Sequence, residues 1–220
     1  MERLRTANVL ILVGICVVAA MAAWPLAALA SPAPVTSPLL PPTEGQYVSP
    51  ALWHAIYNTY GVALSDPAHS RFVNIVRTSQ PGYEQEQFNS TLMANTNYGP
   101  VTLNGPVVTR VYGYTSGAMG TFNTEIVSMT LSGVIGGMSV QIRESPTLQS
   151  TGQTSIVDLG GGNYTIDSFF DVFTDLRIEN GPWDDGEYPD GPPTMAFIPE
   201  PSTLSLLALA GLVAMCRRPR

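Results

Sequence analysis

Lysine is absent from this 220-residue chain, histidine occurs only as His54 and His69, and cysteine only as Cys16 and Cys216. Each shortage closes off some chemistry. Both cysteines sit in apolar terminal stretches. The chain between them therefore has no disulfide, no thiol nucleophile and no cysteine-ligated metal. The two histidines are fifteen residues apart, without the close spacing of helical zinc ligands, so no metal or cofactor is expected. Positive charge is also scarce. Between positions 31 and 198 five arginines face fifteen Asp and Glu, a net of −10. Such a surface repels polyanions, which argues against a nucleic-acid partner.

What is present begins with a basic start, Arg3 and Arg5, before an apolar run over 9–24. Pro25 and the small-residue exit Ala28-Leu29-Ala30 follow, just ahead of Ser31. These are the parts of a secretory signal peptide over 1–30, cleaved between Ala30 and Ser31. An uncleaved anchor is the alternative, since 9–30 is long enough to span a bilayer. Five prolines (32, 34, 38, 41 and 42) then stiffen 31–45, which reads as an extended linker rather than part of a fold.

Over 46–180 the pattern turns to aromatic and β-branched residues punctuated by Gly, Pro, Asn and Ser. The segment 49–57 suits one or two helical turns. Strands are predicted at 61–64, 71–78, 106–114, 125–132, 138–144, 154–159, 163–167 and 170–179, with turns at Gly82, Asn104-Gly105, Gly117, Gly136-Gly137, Gly152 and Gly160-Gly161-Gly162. Many short strands without long helices between them predict a mainly β domain, an antiparallel β-sandwich or jelly-roll. In 125–131 the alternation puts Val127, Met129 and Leu131 on one face and Ile126, Ser128 and Thr130 on the other. In 170–179 Phe170, Val172, Leu176 and Ile178 share a face opposite Asp171 and Asp175. A helix is the rival reading there, and β-propensity favours the strand. An acidic Gly/Pro linker over 181–198 leaves the domain.

Candidate chemistry is sparse. Asp167, Asp171 and Asp175 recur every fourth residue, but on a strand such positions lie about 13 Å apart, too far for a pair of glycosidase carboxylates. Asp184, Asp185, Glu187 and Asp190 offer oxygens to calcium without the EF-hand spacing, and a solvated acidic linker is the plainer reading. Gly113-Tyr114-Thr115-Ser116-Gly117 has threonine where a nucleophile elbow needs serine and reads as a turn. Trp53, Tyr57, Tyr60, Tyr112, Tyr114, Trp183 and Tyr188 are the rings available either to stack on sugars or to fill a core.

The chain ends in Ile198-Pro199-Glu200-Pro201-Ser202-Thr203, an apolar run over 204–215 and the basic stop Arg217-Arg218-Pro219-Arg220. This 199–220 stretch resembles the PEP-CTERM sorting signal of exported bacterial proteins. The resemblance implies that Pro199, Glu200 and Pro201 are recognised by an exosortase-like membrane protease, and that the processed chain reaches the cell surface or the extracellular polysaccharide. The apolar run independently suits a short transmembrane helix: twelve residues give about 18 Å of helix against a hydrocarbon core of ~30 Å, and the arginines stay cytoplasmic. Such a mismatch fits a transient anchor in the inner membrane. Phrases at 125–131, 142–147, 150–154 and 166–176 are similar to segments of other PEP-CTERM-bearing exported proteins of unassigned function. The resulting expectation is an exported, non-enzymatic surface or matrix protein with a structural or adhesive β-domain. The alternatives are a carbohydrate-binding module of the exopolysaccharide and a secreted glycoside hydrolase.

Overall fold

The computed structural model describes residues 33–49, 54–191 and 193–200. All regular elements among them are strands: β1 (Gly45–Val48), β2 (His54–Tyr57), β3 (Val62–Gln80), β4 (Tyr83–Thr96), β5 (Gly99–Tyr112) and β6 (Gly120–Ile135). They continue as β7 (Met138–Glu144), β8 (Ser150–Gly160), β9 (Asn163–Asp171), β10 (Thr174–Ile178), β11 (Asp184–Asp185) and β12 (Thr194–Pro199).

Eight of these strands, in the order β6-β5-β4-β3-β1-β12-β9-β8, form an antiparallel ring. The ring closes where β6 pairs with β8, from Gly120–Ile156 to Ile126–Ser150. The domain is therefore a closed barrel, which corrects the sandwich or jelly-roll expected from the sequence. Closure requires curvature, and β3 supplies it. Its register against β4 shifts between Ser65 and Ala68, Ser70 and Val73, and Val73 and Val76. Asp66, Arg71 and Asn74 at these shifts have φ of 50°, 56° and 56°, a conformation that short Asp and Asn side chains tolerate best. Each bulge bends the strand and raises its twist. A sandwich of short strands would need no such device.

The two longest strands each serve two neighbours. β6 pairs with β8 through its first half and with β7 through its second. β3 pairs with β2 near its start and with β1 further on. A second arc, β7-β10-β11, therefore hangs from β6. It returns toward β2 through the Ile56–Glu187 bridge. The predicted strand at 170–179 is indeed extended, but it divides between the ring and this arc. β9 ends at Asp171, Val172 and Phe173 form the joint, and β10 begins at Thr174. The segment 54–57, expected in a helical turn, is β2, with Ala55 and Tyr57 fully buried.

Asn104-Gly105 and Gly152, read as turns, lie inside β5 and β8. Gly105 is there for close approach: a Cβ would stand 2.0 Å from the Thr130 carbonyl oxygen. A further bulge skips Val127, since Val107 opposes Met129 while Thr109 opposes Ile126. Ile126 consequently joins Met129 and Leu131 in the core, reversing the face assigned to it by simple alternation.

Most residues facing in are apolar, among them Leu103, Leu131, Ile156 and Ile166, with Glu84, Glu86 and Ser90 of β4 as polar exceptions. Those facing out on the same strands include Asn123, Thr151 and Gln153, all exposed. Residues 34–44, within the span expected to act as a linker, cross one end of the ring. Val35 exchanges two backbone hydrogen bonds of 2.9 Å with Tyr164 of β9. The Tyr114 hydroxyl donates to the Pro38 carbonyl at 3.0 Å, and Arg77 Nε of β3 donates to the Leu40 carbonyl at 2.6 Å. Leu40 and Pro41 are buried and line the interior. No helix among the described residues is long and apolar enough to cross a membrane. The signal peptide expected at 1–30 and the apolar run at 204–215 lie outside the described residues.

Candidate functional site

The interior holds two small cavities. A cavity of about 40 Å³ is lined by Tyr47, His69, Glu86, Thr109, Thr124 and apolar neighbours. A second, of about 30 Å³, shares His69, Ile126, Val172 and Met195 with it. Glu86 is buried because β4 alternates Glu84, Glu86, Phe88, Ser90, Leu92 and Ala94 inward. Its Oε2 accepts from the Thr109 hydroxyl at 3.0 Å. Its Oε1 and the Thr124 Oγ1 have no hydrogen-bond partner among the described residues. Burial pushes the Glu86 carboxyl up to about 8, with the Thr109 bond and the nearby Arg77 charge pulling the other way. Burial likewise pulls His69 down to about 4, and its Nε2 lies 2.6 Å from Ser90 Oγ. Desolvation raises the Tyr47 hydroxyl despite its 2.9 Å bond to Ser168. The barrel thus encloses a largely apolar pocket, in which burial favours the uncharged forms of Glu86 and His69, with space for roughly a few water molecules and no organic ligand.

The outer wall is different. Where β5, β6 and β8 meet, a polar groove of about 470 Å³ is lined by Tyr112, Asn123, Glu125, Gln149, Thr151 and Gly152, with Thr124 at its floor. Tyr112 is 39% exposed because it falls on the outward phase of β5. Its register partner on β4 is Tyr83, and the two rings are tilted with centroids 5.9 Å apart. Arg110 covers Tyr83 from 4.9 Å, and the Tyr112 hydroxyl donates to Glu125. Beyond Asn123, its partner Gln153 on β8 opposes Phe169 on β9, which is 38% exposed. The register therefore draws rings and carboxamides into one band across five strands. A less polar groove of about 410 Å³ lies beside Arg71, Asn89 and Asn104 on the neighbouring wall.

The structure separates most of the residues singled out from the sequence. Asp167 is exposed on β9, and Asp171 accepts from Thr194 Oγ1 at 2.6 Å. Asp175, expected on the wet face, is fully buried against Arg143. These three do not form a carboxylate pair. Asp184 accepts from the Thr59 backbone N–H at 2.7 Å, and Glu187 pairs its backbone with Ile56. Among the described residues no group of three or more His, Cys, Asp and Glu is placed to hold a metal ion. The 113–117 segment is a loop in which the Ser116 hydroxyl donates to Glu84 at 2.6 Å.

Of the aromatic candidates, Tyr57 and Tyr114 are core residues. Tyr60 donates to the Pro182 carbonyl at 2.5 Å, and the Tyr188 hydroxyl accepts from the Thr174 N–H at 2.6 Å. Trp183 is half-buried beneath two guanidinium groups, and Trp53 lies outside the described residues. Among the described candidates, Tyr112 is the one that lines the groove on β5, β6 and β8. His54 is in β2 opposite Ser65. Pro199 is the buried last residue of β12, in register with Gly45, and the Glu200 N–H donates to the Glu44 carbonyl at 2.9 Å. Pro201, Ala28, Ala30 and Ser31 lie outside the described residues.

Sequence reasoning passed over Tyr83, Glu84, Glu86 and Phe169. The signal for the first three was the Pro81-Gly82 dipeptide, which marks a hairpin and so implies a strand on each side of it. No protein-family model, no curated protein and no solved structure matches the chain.

Proposed function

We propose that this chain is an exported, non-enzymatic adhesive protein whose barrel is a carrier for its outer face. One observation carries the reading: the polar, tyrosine-walled groove on β5, β6 and β8 lies outside a ring whose interior is filled. A filled interior leaves the wall as the surface for recognition, and a barrel without free ring edges resists association through strand edges. In this reading the chain is cut after Ala30, begins at Ser31, and is held briefly in the inner membrane through 204–215. An exosortase-like enzyme reads Pro199, Glu200 and Pro201 once the end of β12 has come away from Gly45, and the released barrel stays on the cell surface or in the exopolysaccharide.

The test is fractionation of cells expressing the chain, with mass spectrometry of both ends. The expected product starts at Ser31, lacks Arg220 and partitions with the extracellular matrix. Recovery of intact Arg220 on the extracellular protein would remove the processing step, and recovery only from the soluble cell interior would remove the reading as a whole.

A further inference from the structure

We propose that the band through Tyr83, Tyr112, Asn123, Gln149 and Gln153 is a binding site for a neutral, hydroxyl-rich glycan chain. The inference rests on the adhesive reading above and names its ligand. Neighbouring strands are about 4.8 Å apart, so a row crossing β4, β5, β6, β8 and β9 runs for roughly 19 Å, long enough for a chain rather than a single sugar. The row is set by register: Tyr83 opposite Tyr112, Asn123 opposite Gln153, and Gln153 opposite Phe169. Rings offer flat apolar faces to the C–H side of a sugar. Carboxamides offer a donor and an acceptor to its hydroxyls at once. Both kinds of group occur here side by side, and Thr151 adds a hydroxyl.

Charge selects among glycans. The groove holds one carboxylate, Glu125, while Arg110, its register partner on β5, lies over the Tyr83 ring. With a net of −10 over 31–198, the surrounding field disfavours uronate and sulfate polymers. The Tyr112 hydroxyl is held by Glu125, which fixes the ring before a ligand arrives and lowers the ordering cost of binding.

The test is affinity electrophoresis of the full chain through gels holding a neutral polysaccharide (a β-glucan or a galactomannan) or a polyuronate. Tyr112→Ala, Tyr112→Phe and Asn123→Ala are run beside it, with thermal melts to verify folding. The wild type is expected to be retarded by a neutral polymer and to run freely through polyuronate. Tyr112→Ala should bind roughly tenfold more weakly, whereas Tyr112→Phe, which keeps the ring, should retain most of the retardation. Free passage through every neutral polymer overturns the site, as does retardation unaffected by both alanine variants or equally strong in polyuronate. Matrix retention in cells separates the two readings. A chain that stays in the matrix but binds no neutral glycan refutes the site alone. One that binds glycan yet leaves with the soluble fraction upholds the site and refutes the adhesive role.

Discussion

Arg143 on β7 donates through Nε and Nη2 to the same oxygen of Asp175 on β10, at 3.0 and 2.8 Å. The Asp175 side chain is wholly inaccessible while the Arg143 side chain is 32% exposed. Trp183 stacks on that guanidinium at 4.1 Å and on Arg177 at 4.5 Å. Burial raises the Asp175 pKa, and the Arg143 hydrogen bonds and charge pull it back. Removing the cation leaves a buried charge without its partner, the costly half of such a pair. Arg143→Ala is expected to lower stability by about 3 kcal/mol. The double variant Arg143→Met with Asp175→Leu should lose clearly less. Urea titration of the two distinguishes them.

The acidity of the medium should act through two buried groups, Glu86 and His69, and through the half-buried Glu144. Glu86 is raised to about 8 and Glu144 to about 7, both mainly by burial. In the folded state each keeps its proton over a range where the unfolded chain has lost it, so stability falls as pH rises from about 4.5 through those values. His69 has the opposite sign. Its folded value of about 4 lies below the ordinary 6.5, so stability falls as pH drops from 6.5 toward 4. Above about pH 4 the two carboxyls outweigh the one imidazole, so melting temperature is expected to be highest near pH 4 and to decline toward pH 8. Glu86→Gln should flatten the alkaline limb; an unchanged limb would mean that Glu86 is not the group responsible.

A methyl group at position 105 has nowhere to go. Its nearest neighbour would be a backbone oxygen 2.0 Å away on β6, which cannot rotate aside. Gly105→Ala is expected to destabilise the barrel by roughly 2–3 kcal/mol through overpacking, read as a shift in the denaturation midpoint with an unchanged slope.

The segment 34–44 should behave as part of the barrel. Leu40 is 2% exposed, and Leu40→Ala is expected to cost about 2–4 kcal/mol. Limited proteolysis of the wild-type chain should spare this stretch despite its proline-rich, linker-like composition. Cleavage there at the rate of an unfolded peptide would contradict the packing.

The parts of the fold that could be read from sequence follow from how plainly each strand alternates. β7 was predicted with its observed bounds because Val140 and Ile142 alternate with polar neighbours and Gly136-Gly137 marks its hairpin. β4 was not predicted, because its inward face includes Glu84, Glu86 and Ser90 and so carries no hydrophobic period. β3 was read as two fragments because each bulge resets the alternation. The closed ring rests on β6 serving β5, β7 and β8 along one strand, a long-range fact without local signature. Tyr112 was among the candidates by residue type, but its partners Asn123 and Gln153 come from other strands. Only the register assembles them.

The pairing of Gly45 with Pro199, extended by the bond from Glu200 to Glu44, has a mechanical consequence. The chain enters and leaves the ring at one point, along antiparallel strands that start and finish side by side. Tension between those two ends would first meet the Val35–Tyr164 pairing and the buried Leu40, and beyond them would open the β1–β12 seam one hydrogen-bonded pair at a time. Tension drawn between the C-terminal end and a polymer gripped on β5, β6 and β8 would instead spread across the strands that separate them. The barrel is thus better suited to being pulled by one end against its outer wall than by both ends at once.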